Sequence, residues 1–144
     1  MSPSHPKYQS IPNQIDEQTI LNLIQEGQLD GNKGKPYLKT LKDSTLVSDK
    51  EISRWLGVSE RTYANYKQAK SLDLKPQLQE SVLKLLAVIK HGTSVFGSAE
   101  GFHTWITNTN FFFDNKRPLD FMTTSSGLKF IDDRLTAIEY GDNV

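Results

Sequence analysis

Residues 48–68, SDKEISRWLGVSERTYANYKQ, set two short helical patterns on either side of a single glycine. Ser48 followed three residues later by Glu51 reads as a capping box, in which the hydroxyl accepts a main-chain N–H and the carboxylate reaches back. Ile52, Trp55 and Leu56 form the apolar stripe of the first helix. Gly57 can take the left-handed conformation that ends it, Val58 plugs the turn, and Ser59 caps the next helix. Helices joined by so short a turn cross at a steep angle, which demands small or apolar side chains at fixed places. Ser53, Leu56, Val58, Tyr63 and Tyr66 fill those places, so the stretch predicts a helix-turn-helix.

Charge decides what the second helix can do. The chain of 144 residues has zero net charge, yet residues 1–32 hold one Lys against four acidic residues, residues 33–75 hold ten Lys/Arg against five, and residues 76–144 hold six against eight. Positive charge is therefore concentrated around the helix-turn-helix, as contact with nucleic-acid phosphates requires. The outer face of the second helix offers Ser59, Arg61, Thr62, Asn65, Lys67 and Gln68 as DNA-binding residues. Arg61 suits bidentate contact with guanine, and Asn65 or Gln68 suits adenine, at roughly 1–3 kcal/mol of discrimination each. A solvated basic face on a helix pair that never meets DNA fits the same residues.

The rest of the chain reads as further helices. Residues 1–14 hold Pro3, Pro6 and Pro12 among polar residues and predict a disordered arm. Ile15, Ile20, Leu23 and Ile24 recur at helical spacing up to Gly27, "LDGNKGKP" reads as a loop, and Tyr37, Leu38 and Leu41 begin another helix. Pro76 starts a long helix expected over Gln77–His91, followed by helices over Ala99–Ile106 and Gly127–Tyr140. No strand pattern appears, so the class is all-α, with a helix-turn-helix domain over residues 15–72 and a second helical module over 76–144. Trp55 and Trp105 are expected as core anchors, one in each module.

Several chemistries are excluded. Without cysteine there is no disulfide, thiolate metal site or cysteine nucleophile, and the cytoplasm is the natural compartment. No apolar run is long enough for a membrane span, and the first residues lack the order of a signal peptide. His5, His91 and His103 have no metal-ligand spacing and read as surface or helix-end residues. Asp16-Glu17 and Asp132-Asp133 read as charged helix faces, and "GNKGKP" lacks the phosphate-loop pattern. No catalytic residue, metal or cofactor is expected.

The C-terminal half carries the more distinctive words: Trp105-Ile106, "RPLDFM" over Arg117–Met122, "TSSG" over Thr124–Gly127 and "LTAIEYG" over Leu135–Gly141. Their order and spacing resemble the toxin-binding domain of Xre/MbcA/ParS-type antitoxins from RES-Xre toxin–antitoxin systems. The resemblance covers about Pro76 to Gly141, and the helix-turn-helix resembles the Xre/Cro-like module such antitoxins carry. Thr109 stands where a proline is common, and Asp114-Asn115 where glycine often occurs; Asn115 tolerates the left-handed conformation that the turn needs.

What the resemblance implies is an antitoxin that blocks the active site of a cognate RES-type, NAD-consuming toxin and binds operator double-stranded DNA to repress its own operon. A homodimer within the toxin–antitoxin complex would read a palindromic operator. The chain's end occupies the toxin pocket in that family, which assigns the role to Glu139, Tyr140, Gly141, Asp142, Asn143 and Val144, the last three expected to be free to reach out. Among Phe111, Phe112 and Phe113 at least one should be exposed; Phe112 with Lys116 and Arg117 is the expected partner patch. A stand-alone helix-turn-helix regulator whose C-terminal domain dimerises or senses a ligand remains the alternative, and a scaffold that meets no DNA is a third reading.

Overall fold

The computed structural model describes residues 34–144. The expected arm over 1–14, the helix from Ile15 and the start of the loop after it lie outside the described residues. Those described are all-helical: α1 Gly34–Asp43, α2 Asp49–Leu56, α3 Glu60–Gln68, α4 Pro76–Phe96, α5 Ala99–Thr107 and α6 Ser125–Glu139. Two 3₁₀ turns, Phe111–Phe113 and Pro118–Phe121, link α5 to α6. The one departure from helix and loop is an isolated antiparallel bridge between Asn110 and Lys116.

Local chemistry places the helix ends. Ser48 Oγ accepts from the Glu51 N–H at 3.2 Å, which is one half of the expected capping box. The other half does not form: the Glu51 carboxylate pairs with Arg54, one turn along the same helix, at 2.6 Å. A charge-assisted bond to a guanidinium outcompetes a bond to a neutral amide. Gly57 adopts φ 70° and its N–H donates to Arg54 O, ending α2. Ser59 then caps α3 by accepting from Thr62 N–H at 3.0 Å.

The long helix α4 is the spine. It runs to Phe96, five residues beyond the expected end at His91. Gly92 there is not a breaker but a point of close approach: a Cβ on it would lie 2.2 Å from the Phe102 ring. The true stop is Gly97, at φ 84°, whose N–H donates to Thr93 O at 2.8 Å. The last helix likewise begins before Gly127, because Thr124 is its cap and accepts the Gly127 N–H at 3.0 Å. A helix with so many buried positions must be covered on most sides. Helices α5 and α6 pack on α4 from the C-terminal side, α1 and α2 from the N-terminal side.

One continuous apolar cluster results, from Tyr37, Leu41, Ile52 and Trp55 through Leu83 and Ile89 to Phe113, Ile131 and Leu135. Leu74, in the link between α3 and α4, is buried within it and packs against Gly34, where a Cβ would be 2.8 Å from Leu74 Cγ. Trp55 and Trp105 are both buried, as core anchors should be. Asp120, after the second 3₁₀ turn begins, pairs with Arg54 of α2 at 3.2 Å, so an ion pair also joins α2 to the segment between α5 and α6.

Candidate functional site

The segment between α5 and α6 sorts its three consecutive phenylalanines by burial. Asn110 Oδ1 accepts from the Phe112 N–H at 2.9 Å and starts a 3₁₀ turn, whose three-residue period points successive side chains in different directions. Phe113 faces inward, with its ring edge-on to Trp105, Phe121 and Phe130 at centroid distances of 5.5, 5.1 and 5.0 Å. Phe112 is half-buried under Arg134, whose guanidinium carbon lies 3.6 Å from the ring centroid. Phe111 is 79% exposed. The turn closes through Asp114 and Asn115, both at φ 59°, so two left-handed residues occur where the sequence suggested one.

Lys116 and Arg117 are exposed beyond this turn. Arg117 is held by Asp120 at 3.0 Å. Hydrogen bonds from Arg117, and behind it from Arg54, keep the Asp120 carboxyl below the usual carboxylate range.

The chain's end is not free, contrary to the expectation for Asp142–Val144. Gly141, at φ 100°, reverses the chain, with its N–H donating to Ile138 O and that of Asp142 to Ala137 O. Arg134 binds the returning strand twice, by an ion pair to Asp142 at 3.0 Å and by a hydrogen bond to Asn143 O at 2.6 Å. Val144 O accepts from Trp105 Nε1 at 3.1 Å and from Asn110 Nδ2 at 3.0 Å. Each hydrogen bond to Asn143 or Val144 contributes about 1 kcal/mol net, while ordering each residue costs about 1–2 kcal/mol, so the tail is held by a narrow margin. Beside the docked tail lies an open groove of about 510 Å³, lined by Phe96, Trp105, Asn108, Phe111, Phe112 and Val144.

Glu139 and Tyr140 stand on the other side of the reversal. Tyr140 is 86% exposed. Glu139 joins Asp132 in holding His91, whose Nδ1 lies 2.6 Å from Asp132 and Nε2 3.0 Å from Glu139. His91 is thus partly buried within α4 rather than free at the surface or at a helix end, and Asp132 is no idle face charge: bonding to Asp132, then to Glu139, lifts the imidazole pKa to about 9 against the opposing effect of burial.

On the basic side, Arg61, Asn65 and Gln68 are exposed along α3, and Tyr63 is fully buried beneath them. Ser59 and Thr62 are joined to each other, Oγ to Oγ1, at 2.9 Å. Lys67 turns aside: its ammonium bonds Asp49 and sits 5.4 Å from the Tyr63 ring centroid. That bond and one from Lys42 hold the Asp49 carboxyl below its usual range. Lys35 of α1 donates to Lys67 O and Ala69 O, supplying positive charge at the C-terminal end of α3.

A family model described as the antitoxin Xre/MbcA/ParS C-terminal toxin-binding domain matches residues 91–141, the span that holds His91, the phenylalanine turn, Arg117 and the reversal at Gly141. This segment is an Xre/MbcA/ParS-type toxin-binding domain. A comparison with curated proteins finds no match.

The toxin-binding domain is an antitoxin module, not an enzyme. Among the described residues no group of His, Asp or Glu is arranged to hold a metal ion, and no helix is long and apolar enough to cross a membrane. Phe112, Lys116, Arg117 and residues 139–144 lie around the turn, the reversal and the tail. Trp105, Asn110 and Arg134, which hold that tail, carry no local sequence signal of the role. Only Gly141, placed to end a helix, hints at the reversal.

Proposed function

We propose that this chain is the antitoxin of a toxin–antitoxin pair, whose C-terminal module neutralises a RES-type, NAD-consuming toxin and whose α2–α3 pair binds operator DNA to repress the operon. The match of residues 91–141 to the toxin-binding domain carries the first part. In this role exposed Phe111 and half-buried Phe112, flanked by Lys116 and Arg117, form the aromatic and cationic patch that interface centres favour. Glu139 to Val144 enter the toxin pocket and close it to substrate.

The DNA-binding part is supported by a different set of observations. Ser53 is buried, as the small residue at a helix crossing must be; Gly57 is left-handed; and Tyr63 fixes α3 while Arg61, Asn65 and Gln68 face solvent. These are the requirements of a helix-turn-helix whose second helix lies in the major groove. Two copies would read a palindromic operator, in the cytoplasm where both DNA and toxin are found.

Co-expression with the product of the adjacent reading frame tests the proposal. Growth and cellular NAD should fall when that product is made alone and recover when this chain is made with it. No effect of this chain on either would leave a stand-alone transcription regulator as the better account.

A further inference from the structure

The tail bound across the toxin-binding domain raises a question of order. If residues 139–144 enter a toxin, Asp142–Val144 must first leave Arg134, Trp105 and Asn110. We propose that the tail is an intramolecular latch, released when a toxin binds, and that its release sets how much of the chain is competent to neutralise. This rests on the proposed insertion of the tail into the toxin.

Three features point to a latch rather than a frayed end. The contacts come from two separate elements: Arg134 on α6 takes Asp142 and Asn143, while Trp105 on α5 and Asn110 after it converge on the single oxygen of Val144. Arg134 is itself largely covered, with 12% of its side chain exposed, and its flat face is committed to Phe112. The tail contacts therefore join directly to the aromatic patch proposed to meet the toxin. Finally, Val144 lines the groove that also contains exposed Phe111, so a partner seated on Phe111 approaches the residue that must depart.

A latch of this kind acts by population. Binding by a conformer present as only a fraction of the molecules is weakened by that fraction, and a change that frees the tail restores it. Removing one of the bonds to Val144 should therefore tighten toxin binding, although it removes a contact from the antitoxin. A purely structural contact would give the opposite sign.

Asn110→Asp is the sharpest variant, because it keeps the oxygen that accepts the Phe112 N–H and replaces the donor to Val144 with a carboxylate. Arg134→Gln is the second, acting at the other end of the tail. The Trp105 indole N–H resonance in the full-length protein reports the latch; it is assigned with Trp55→Phe and referenced to a chain ending at Gly141. Both variants should move it toward that reference, and each should bind the adjacent gene's product about fivefold more tightly than the wild type. Adding that product to the wild type should shift the resonance as well.

An indole resonance unmoved in both variants would overturn the latch, because Val144 would not be held there. Weaker or equal toxin binding with the tail visibly released would overturn its gating role, while leaving toxin binding itself intact. Failure of every form, the wild type included, to bind the product would remove the toxin reading and the gate with it.

Discussion

His91 and Asp132 lie 41 residues apart in sequence and 2.6 Å apart in space, and their bond ties the C-terminal part of α4 to α6. Glu139 bonds the other ring nitrogen, so the imidazolium joins the spine to the turn that launches the tail. The pKa is raised from 6.5 to about 9, so the stabilisation is fully present below about pH 6.5 and disappears as pH rises through 9. Because both carboxylates are more than 40% exposed, solvent screening limits the contribution to on the order of 2 kcal/mol. Urea unfolding at pH 6 and at pH 10 should show that loss in the wild type, and His91→Gln should remove the His91-linked part of it.

Two glycines fail for different reasons when replaced. Gly57 has open space where a Cβ would go and is constrained only by φ 70°, so Gly57→Ala should cost about 1–2 kcal/mol. Gly127 is helical, but a Cβ there would fall 2.0 Å from the Phe121 carbonyl oxygen, which is backbone and cannot turn away. Gly127→Ala should destabilise by about 3 kcal/mol or more, with Gly57→Asn milder than Gly57→Ala. Thermal unfolding of the three variants separates strain from collision.

The phenylalanines offer a similar contrast. Phe113→Ala empties a fully buried site among three other aromatic rings and should cost about 3–5 kcal/mol of stability. Phe111→Ala should leave stability within about 0.5 kcal/mol and weaken toxin binding by about tenfold or more. Titration calorimetry alongside chemical unfolding checks both.

The DNA face should be separable from the toxin face. Arg61→Ala with Asn65→Ala should abolish operator binding and spare neutralisation, since neither side chain is buried or near residues 91–141 of the sequence. Wild-type affinity should fall steeply with salt. Gel shifts at two salt concentrations and a growth assay give the result; loss of both functions together would contradict the division of labour.

The sequence made legible what depends on near neighbours. Ser48, Gly57, Ser59 and Pro76 announce helix ends because capping and φ restriction act over three or four residues. The continuation of α4 beyond His91 was not legible for the same reason: Gly92 admits the Phe102 ring, which periodicity along α4 does not record. Arg54 with Asp120, His91 with Asp132, and Trp105 with Val144 are pairs created by the packing of α4 against its neighbours. Taken singly, Asp132 reads as a face charge, Trp105 as a core ring and Val144 as part of a free tail. The toxin-binding module was recognisable from an ordered set of short words, but the docking of its tail was not, because a four-residue tail has no period.

In the proposed function the C-terminal module grips a toxin through its aromatic turn and tail. Titration calorimetry of the full chain against the adjacent gene's product, with the wild type, Phe111→Ala and a chain ending at Gly141, tests it most directly. A saturable complex should form with the wild type, and both variants should bind more weakly. Binding that is identical in all three, or absent in all three, would contradict it.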